Sequence, residues 1–287
     1  ATFSMILDLT VKASYGQGVR APDLSNLYGV TSFSAETATD YYGCQLNGIA
    51  EADCNSRQFD TYIGSNPNLD AETSETFSLG ANYNFFDAWN VGVNYFNLTI
   101  SDSIEYVSAQ DMLNVDYYSQ GGNSAVIRSA NGRVEEISAG YQNAVGDLTR
   151  EAVDFSLSGL IETSFGMFEL RGNSSYYLTY EYEQDFGQGN VANAAGDLGF
   201  PEWRSNGFVQ WTMGNVFASW NVDYIGESKD AINGTEYDAW MIHNASVGYS
   251  FTDYGTVKVG ANNILNEDPL LDQFGEQADE YMYDNTG

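Results

Sequence analysis

Two segments decide the fold: Ala13-Ser14-Tyr15-Gly16-Gln17-Gly18-Val19-Arg20-Ala21-Pro22 and Asn66-Pro67-Asn68-Leu69-Asp70-Ala71-Glu72-Thr73-Ser74-Glu75. An alternating apolar and polar run leads into the first segment, and another leads out of the second. Between them lies a long polar stretch that holds both cysteines of the chain. Because alternation with period two is typical of half-buried β-strands, the pair predicts two neighbouring strands joined at one end by a long loop.

The same period-two pattern continues through most of the 287 residues. It predicts an all-β protein, an antiparallel up-and-down meander of about nine long strands. The apolar phase of the first strand runs unbroken from Phe3 to Tyr15. In the third, the phase changes between Tyr95 and Phe96, which predicts a β-bulge there. The remaining apolar runs lie within residues 77–85, 153–157, 168–180, 209–213, 216–224, 245–251 and 257–261.

Connection lengths distinguish a membrane barrel from a soluble sandwich. Short connections alternate with long ones, and an outer-membrane barrel has short turns on one side and long loops on the other. We therefore place the apolar phase outward, toward lipid, and the charged phase toward the lumen. Charged residues on the polar phase are Asp8, Lys12, Asp154, Glu162, Glu169, Arg171, Asp223 and Lys258. Aromatic residues near strand ends, expected in the interfacial girdles, are Tyr15, Phe85, Trp89, Phe165, Tyr180, Tyr224, Tyr249 and Phe251.

Composition narrows the function. Forty acidic residues against ten basic ones give a net charge of −30, which disfavours binding to nucleic-acid phosphates. No apolar run approaches the ~20 residues of a membrane-spanning helix, and no segment resembles a signal peptide, so we expect a fragment that begins inside a domain. Cys44 and Cys54 lie close together without a histidine nearby, which favours a disulfide over a metal site and an oxidising compartment.

The two opening segments resemble the signature of TonB-dependent receptors of the bacterial outer membrane. The positions that carry the resemblance are Arg20, Ala21, Pro22, Asn66, Pro67, Asn68, Leu69 and Glu72. Weaker similarities to the family's motifs occur at Asn94-Tyr95-Phe96 with Asp102 and Ile104, at Gly260–Pro269 and at Tyr283–Gly287. The resemblance implies that residues 1–287 form a single partial domain, part of a 22-stranded transmembrane β-barrel, without the family's plug, TonB box or last strand.

Candidate sites are few. His243 is the only histidine, so nothing indicates a catalytic base or a hydrolase, and we expect no enzyme and no cofactor. We expect a structural role for the Arg20-Ala21-Pro22 element, with Arg20 donating to loop carbonyls. Loop aromatics either stack on a ligand or pack the loops; the candidates are Tyr41, Tyr42, Tyr117, Tyr118 and Trp203. Whether the acidic segment after Lys258 binds Ca²⁺ or is a solvated loop stays open.

The resemblance implies an active-transport receptor in the cell outer membrane that takes up a scarce nutrient, such as an iron–siderophore, cobalamin, an oligosaccharide or a peptide. Its expected partners are outer-membrane lipid and lipopolysaccharide, a small nutrient ligand, and the TonB complex through a part preceding residue 1. A passive porin-like channel is the alternative. An outer-membrane enzyme or adhesin and a soluble secreted β protein are further possibilities.

Overall fold

A computed structural model describes residues 2–6, 8–86, 88–231, 234–251 and 255–268. In chain order its elements are β1 (Thr2–Ile6), β2 (Leu9–Arg20), α1 (Leu24–Tyr28), β3 (Ser32–Ala38), α2 (Tyr41–Leu46), a 3₁₀ turn (Glu51–Asp53), β4 (Arg57–Gly64), β5 (Glu72–Phe85), β6 (Trp89–Ser101), β7 (Ile104–Val107), α3 (Ala109–Tyr118), β8 (Val126–Arg128), β9 (Val134–Asn143), β10 (Leu148–Thr163), β11 (Gly166–Asp185), β12 (Asn190–Asn193), β13 (Trp203–Met213), β14 (Val216–Ile225), β15 (Ser228–Lys229), β16 (Glu236–Tyr237), β17 (Trp240–Phe251) and β18 (Gly255–Ala261).

Over the described ranges, the main sheet has eleven strands, and each is antiparallel to its neighbours. Ten of them follow the order β1-β2-β5-β6-β10-β11-β13-β14-β17-β18, and β12 pairs with the end of β11. Since successive strands reverse direction, the long connections all leave from one end of this sheet. They comprise residues 21–71, 102–147, 186–202 and 226–239. The predicted all-β antiparallel meander is confirmed, and so is the gathering of long loops at one end, which we call the loop end.

The run from Phe3 to Tyr15, predicted as one strand, is two strands. β1 pairs antiparallel with β2, and Phe3 lies opposite Val11. In three partner pairs the two residue numbers are both even or both odd: Thr2 with Lys12, Phe3 with Val11, and Ser4 with Thr10. Next to the reversal Ile6 lies opposite Leu9, and a one-residue register shift between Ser4 and Ile6 restores the period-two phase, so alternation alone does not reveal the hairpin.

The apolar phase covers the exposed face of the main sheet. Phe77 is 42% exposed and Trp220 is 52% exposed, so they do not interlock in a dry core. The opposite face is polar: Asp154 accepts a hydrogen bond from Ser175 (2.6 Å), and Asp223 accepts one from Asn206 (2.7 Å). This polar face encloses a cavity of about 490 Å³ across β2, β5, β6, β10 and β11. The sheet is therefore part of a barrel with an apolar outside and a polar inside, as predicted.

The predicted bulge is in a different strand. β6 pairs without interruption with both β5 and β10, so the phase change after Tyr95 is not a bulge. The register shifts instead between β10 and β11: Val153 lies opposite Tyr176, whereas Arg150 lies opposite Tyr180. One extra residue of β11 at this point turns the following side chains to the other face. Tyr180, predicted in the outer girdle, consequently faces inward beside Arg150.

The first two long connections fold together into a body with its own core, although the sequence suggested only polar loops. β3, β4, β9 and β7 form a second sheet, with β8 on the edge of β9, and β4 runs parallel to β9. Helices α2 and α3 contact each other, and α3 lies against this sheet. We call β3, β4, β7, β8, β9, α2 and α3 the loop body. Its buried apolar residues are Ala38, Phe59, Val107, Ala109, Met112, Leu113, Val126, Val134 and Ile137.

Within the described residues, no helix is long and apolar enough to cross a membrane. The predicted family-like segment Tyr283–Gly287, Pro269 and most of the acidic segment after Lys258 lie outside the described residues.

Candidate functional site

An open cavity of about 660 Å³ lies at the loop end of the barrel's inner face, and we call it the mouth cavity. Its floor comes from strands β10 and β11 through Leu148, Arg150, Tyr180 and Tyr182. The third and fourth long connections form one wall, and Glu105 of β7 also lines the cavity. The wall residues are Ala194, Asp197, Leu198, Phe200, Asp230 and Ala231.

The two wall connections are held together by their backbones. Leu198 donates its N–H to the carbonyl of Lys229 (2.8 Å), and Lys229 donates to the carbonyl of Gly196 (2.9 Å). Leu198 also packs against the buried side chains of Ile225 and Trp240, where β14 ends and β17 begins. The wall is therefore anchored to the barrel rather than formed by a free loop.

The aromatic floor depends on the bulge in β11. With unbroken alternation, Tyr180 would face outward like Tyr176, but the register shift turns it inward. Its ring lies 4.2 Å from that of Phe200, centroid to centroid, and the Arg150 guanidinium carbon lies 3.3 Å from its ring centre. Such cation–π contacts contribute about 0.5–2 kcal/mol. Neither Arg150 nor Tyr182 was singled out by the sequence analysis, because the apolar phase of β11 runs evenly through the bulge.

Carboxyl groups dominate the polar part of the cavity. Burial raises the pKa of Glu105, and a hydrogen bond from Ser103 partly lowers it. The nearby carboxylates of Glu183 and Asp111 raise this pKa further. Burial also raises the pKa of Asp197, where Lys229 acts in the opposite direction. Within the part of the chain that the structure describes, neither Glu105 nor Asp197 forms an ion pair within 4 Å.

The loop body is fastened by a buried ionic network and a disulfide. Arg128 donates to Asp116 (2.7 Å from Nε) and to both carboxylate oxygens of Asp40 (2.6 and 3.0 Å). The predicted bond between Cys44 and Cys54 is present, and it closes the segment that follows Asp40. Arg128 of β8 is thereby linked through side chains to Asp40, the N-cap residue of α2, and to Asp116 of α3.

The two signature segments meet at the loop end. Arg20 donates to Glu72 (3.0 Å) and lies 3.8 Å from Asp23, so its partners are carboxylates rather than the expected carbonyls. Glu72 is buried and also accepts the N–H of Ile104 (2.8 Å), which ties β5 to β7.

The Asn-Pro-Asn-Leu element contacts the end of β9. Asn66 donates to the carbonyl of Tyr141 (3.2 Å), and its own side-chain oxygen accepts the N–H of Asn68 (2.9 Å). Leu69 is buried, and the N–H of Asp70 donates to the side chain of Asn143 (2.9 Å). The element therefore joins the first long connection to the second.

The candidate ligand contacts separate into three places. Tyr41, Tyr117 and Tyr118 form an aromatic cluster between α2 and α3, with ring centroids 5.5–6.0 Å apart. Tyr42 packs instead against the Arg128 guanidinium, 5.1 Å from its ring centre. Trp203 lies on the outer face against Tyr176, 4.6 Å between centroids. The structure brings none of these five into the mouth cavity.

His243 also lies on the outer face, opposite Val222, and its Nδ1 accepts a hydrogen bond from the Trp220 indole (3.2 Å). Among the described residues, no ion pair within 4 Å joins it to an Asp or Glu side chain. The described residues contain no group of three or more His, Cys, Asp or Glu side chains arranged to hold a metal ion.

Comparison with known proteins agrees with this architecture. The family model "TonB dependent receptor-like, beta-barrel" matches residues 3–264. Among solved structures, the chain is similar to the ferric enterobactin receptor PfeA (mutant G324V) of Pseudomonas aeruginosa, with 17% identity and a TM-score of 0.65 over 96% of this chain and 35% of that one. It is also similar to the siderophore receptor PirA of Acinetobacter baumannii, with 16% identity and a TM-score of 0.66 over 96% of this chain and 38% of that one.

A third similar structure is the R480A mutant of PfeA in complex with enterobactin, at 18% identity and a TM-score of 0.65 over 94% of this chain and 35% of that one. No similar sequence was found among curated proteins. The chain thus spans little more than a third of the length of these receptors. At such low identity the structures show the shared fold alone, while the family match covers nearly the whole chain and disfavours a passive porin. The chain belongs to the family of TonB-dependent receptor β-barrels.

Proposed function

We propose that this chain is part of an outer-membrane receptor that actively takes up a scarce small nutrient, and that the nutrient is captured in the mouth cavity. The mouth cavity carries this proposal: it lies on the inner face at the loop end, where a ligand from outside would first meet the barrel. An aromatic floor with a few convergent polar groups is typical of small-molecule sites. Family membership and the siderophore-receptor neighbours support a ferric chelate as the nutrient class.

The remaining parts of the proposal follow from the family. The apolar outer face contacts outer-membrane lipid and lipopolysaccharide, residues 1–287 belong to one barrel domain, and uptake draws on the TonB complex through a part of the receptor outside this chain. The Arg20-Ala21-Pro22 and Asn66-Pro67-Asn68-Leu69 elements serve structure, holding the long connections against the barrel rim.

The test is uptake of a radiolabelled ferric chelate by cells that carry the full-length receptor. We expect saturable uptake that is abolished when TonB is deleted, and a reduction of at least tenfold in the apparent affinity of Tyr180→Ala. Tyr83→Ala is the matched control, because Tyr83 is an exposed strand tyrosine on the outer face. Unsaturable uptake that persists without TonB would instead establish a passive channel.

A further inference from the structure

The mouth cavity has an excess of negative charge, and this restricts what it can bind. Three of its lining residues are acidic, namely Glu105, Asp197 and Asp230, and Arg150 is the one basic lining residue. The acidic groups come from three different connections, the second, third and fourth along the chain. A ligand in the cavity consequently meets three carboxyl groups and one guanidinium.

The single guanidinium of the cavity is already engaged. Arg150 donates from Nη1 to the carbonyls of Thr149 (3.0 Å) and Glu181, and its plane covers the ring of Tyr180. A guanidinium held by its own strand and by an aromatic face presents fewer donors to an anionic ligand than a free one. Arg150 therefore positions Tyr180 while keeping its charge, so the three acidic lining residues and this one basic residue leave the cavity with a formal charge of −2.

The long connections around the mouth cavity are also negatively charged. The four long connections, residues 21–71, 102–147, 186–202 and 226–239, carry twenty acidic residues against four basic ones. All four leave from the loop end, which is where a ligand approaches. Charge of one sign around a cleft attracts ligands of the opposite sign and repels those of the same sign, most strongly at low ionic strength.

We infer that the mouth cavity selects neutral or cationic ferric chelates and rejects highly anionic ones. This inference rests on the proposed function and specifies its ligand class. Three singly charged hydroxamates around Fe³⁺ give a neutral complex, and an added ammonium group makes it a cation. Three doubly charged catecholates around Fe³⁺ give a trianion, which the carboxylates of the cavity repel.

The experiment compares two probes on the full-length receptor in detergent: a ferric tris-hydroxamate that carries one ammonium group, and a ferric tris-catecholate. We expect the cationic complex to bind at least tenfold more tightly than the trianion. The triple variant Glu105→Gln, Asp197→Asn, Asp230→Asn should reduce the ratio of the two dissociation constants severalfold. The control triple variant Asp53→Asn, Asp60→Asn, Glu135→Gln removes the same charge from exposed loop-body residues outside the cavity, and should leave the ratio nearly unchanged.

Salt provides a second readout that needs no variant. On the unmodified receptor, raising ionic strength should weaken binding of the cationic complex and strengthen binding of the trianion. If the trianion binds more tightly than the cationic complex at low salt, the charge selectivity is wrong, while the receptor function still stands. Binding of neither complex, with no TonB-dependent uptake of either, would overturn both the selectivity and the ferric-chelate function.

Discussion

Replacing Arg128 by alanine should destabilise the loop body while leaving the barrel intact. Arg128 is only 10% exposed and donates to two carboxylates, of which Asp40 is 5% exposed and Asp116 is fully buried. It also donates to the carbonyl of Gly132 (2.8 Å) and so fixes the turn between β8 and β9. The substitution removes the only cation that contacts Asp116 in the described part of the chain.

The expected cost follows from this burial. Breaking a buried ion pair by removing one partner costs about 3–5 kcal/mol, because the remaining charge is left uncompensated in the interior. Asp116 falls in this class, since its remaining backbone contact, from the N–H of Asn123, is long at 3.3 Å. Asp40 keeps the N–H of Gly43 (2.8 Å) and Arg57 (3.4 Å), so we do not double the figure for the second carboxylate.

Hydrogen–deuterium exchange of the full-length receptor measures the effect. Amides of α3, β8 and β9 should lose about 3–5 kcal/mol of protection in Arg128→Ala, while the barrel strands keep theirs and the folded band persists on an unheated gel. Arg133→Ala is the matched control, because Arg133 is exposed and forms no ion pair among the described residues; changes at such surface sites usually stay within about 0.5 kcal/mol. Equal protection in the two variants would refute the assigned role of the network.

Three further perturbations test the same end of the molecule. Cys44→Ser, which leaves Cys54 unpaired, should lower loop-body stability by about 2–3 kcal/mol in the chain-entropy model, seen as faster proteolysis of the loops with an unchanged heat-modifiable barrel band. Acid should also destabilise the loop body. Burial tends to raise the pKa of Asp40, but hydrogen bonds from Arg128 and the Gly43 N–H outweigh burial and lower that pKa. The ionised Asp40 therefore stabilises the loop body above pH 3.8, the ordinary pKa of the side chain, and this stabilisation is lost as the pH falls below that value. Loop-body exchange protection that stays constant from pH 6 to about pH 3 would contradict this. Glu72→Ala should cost about 1–3 kcal/mol by leaving the Ile104 N–H without its acceptor, whereas Glu72→Gln, which retains an oxygen there, should cost less; exchange protection of β7 in the two variants measures the difference.

The barrel could be predicted from sequence because its determinants are local. Alternation within each strand places Phe77 and Trp220 outside and Asp154 and Asp223 inside, and the connection lengths give the direction of each strand. Neither requires knowledge of which residues meet across space. The hidden reversal between β1 and β2 shows the limit of this reasoning, because a tight hairpin with a one-residue register shift keeps the pattern of a single strand.

The loop body could not be predicted because its determinants are non-local. β4 and β9 pair in parallel across more than seventy residues, from Thr61 with Ile137 to Gly64 with Gly140. The buried arginine of β8 meets Asp40, which lies in a different connection 88 residues away. Each of the two connections is polar on average, and the core forms only when both contribute to it. A single sequence contains no periodic signal for that assembly.

The mouth cavity depends on both local and non-local determinants. Its strands were predictable, but its floor was not, because one extra residue in β11 reverses the direction of every later side chain in that strand. The sequence around the bulge, Tyr176-Tyr177-Leu178-Thr179-Tyr180, is aromatic or apolar on both phases and so fits either register. The partner strand gives the facing: β10 pairs with β6 without interruption, so Arg150 keeps the inward phase of Asp154, and the register shift in β11 brings Tyr180 opposite it. The pairing between the two strands, rather than the alternation within either one, thus decides which tyrosines line the mouth cavity.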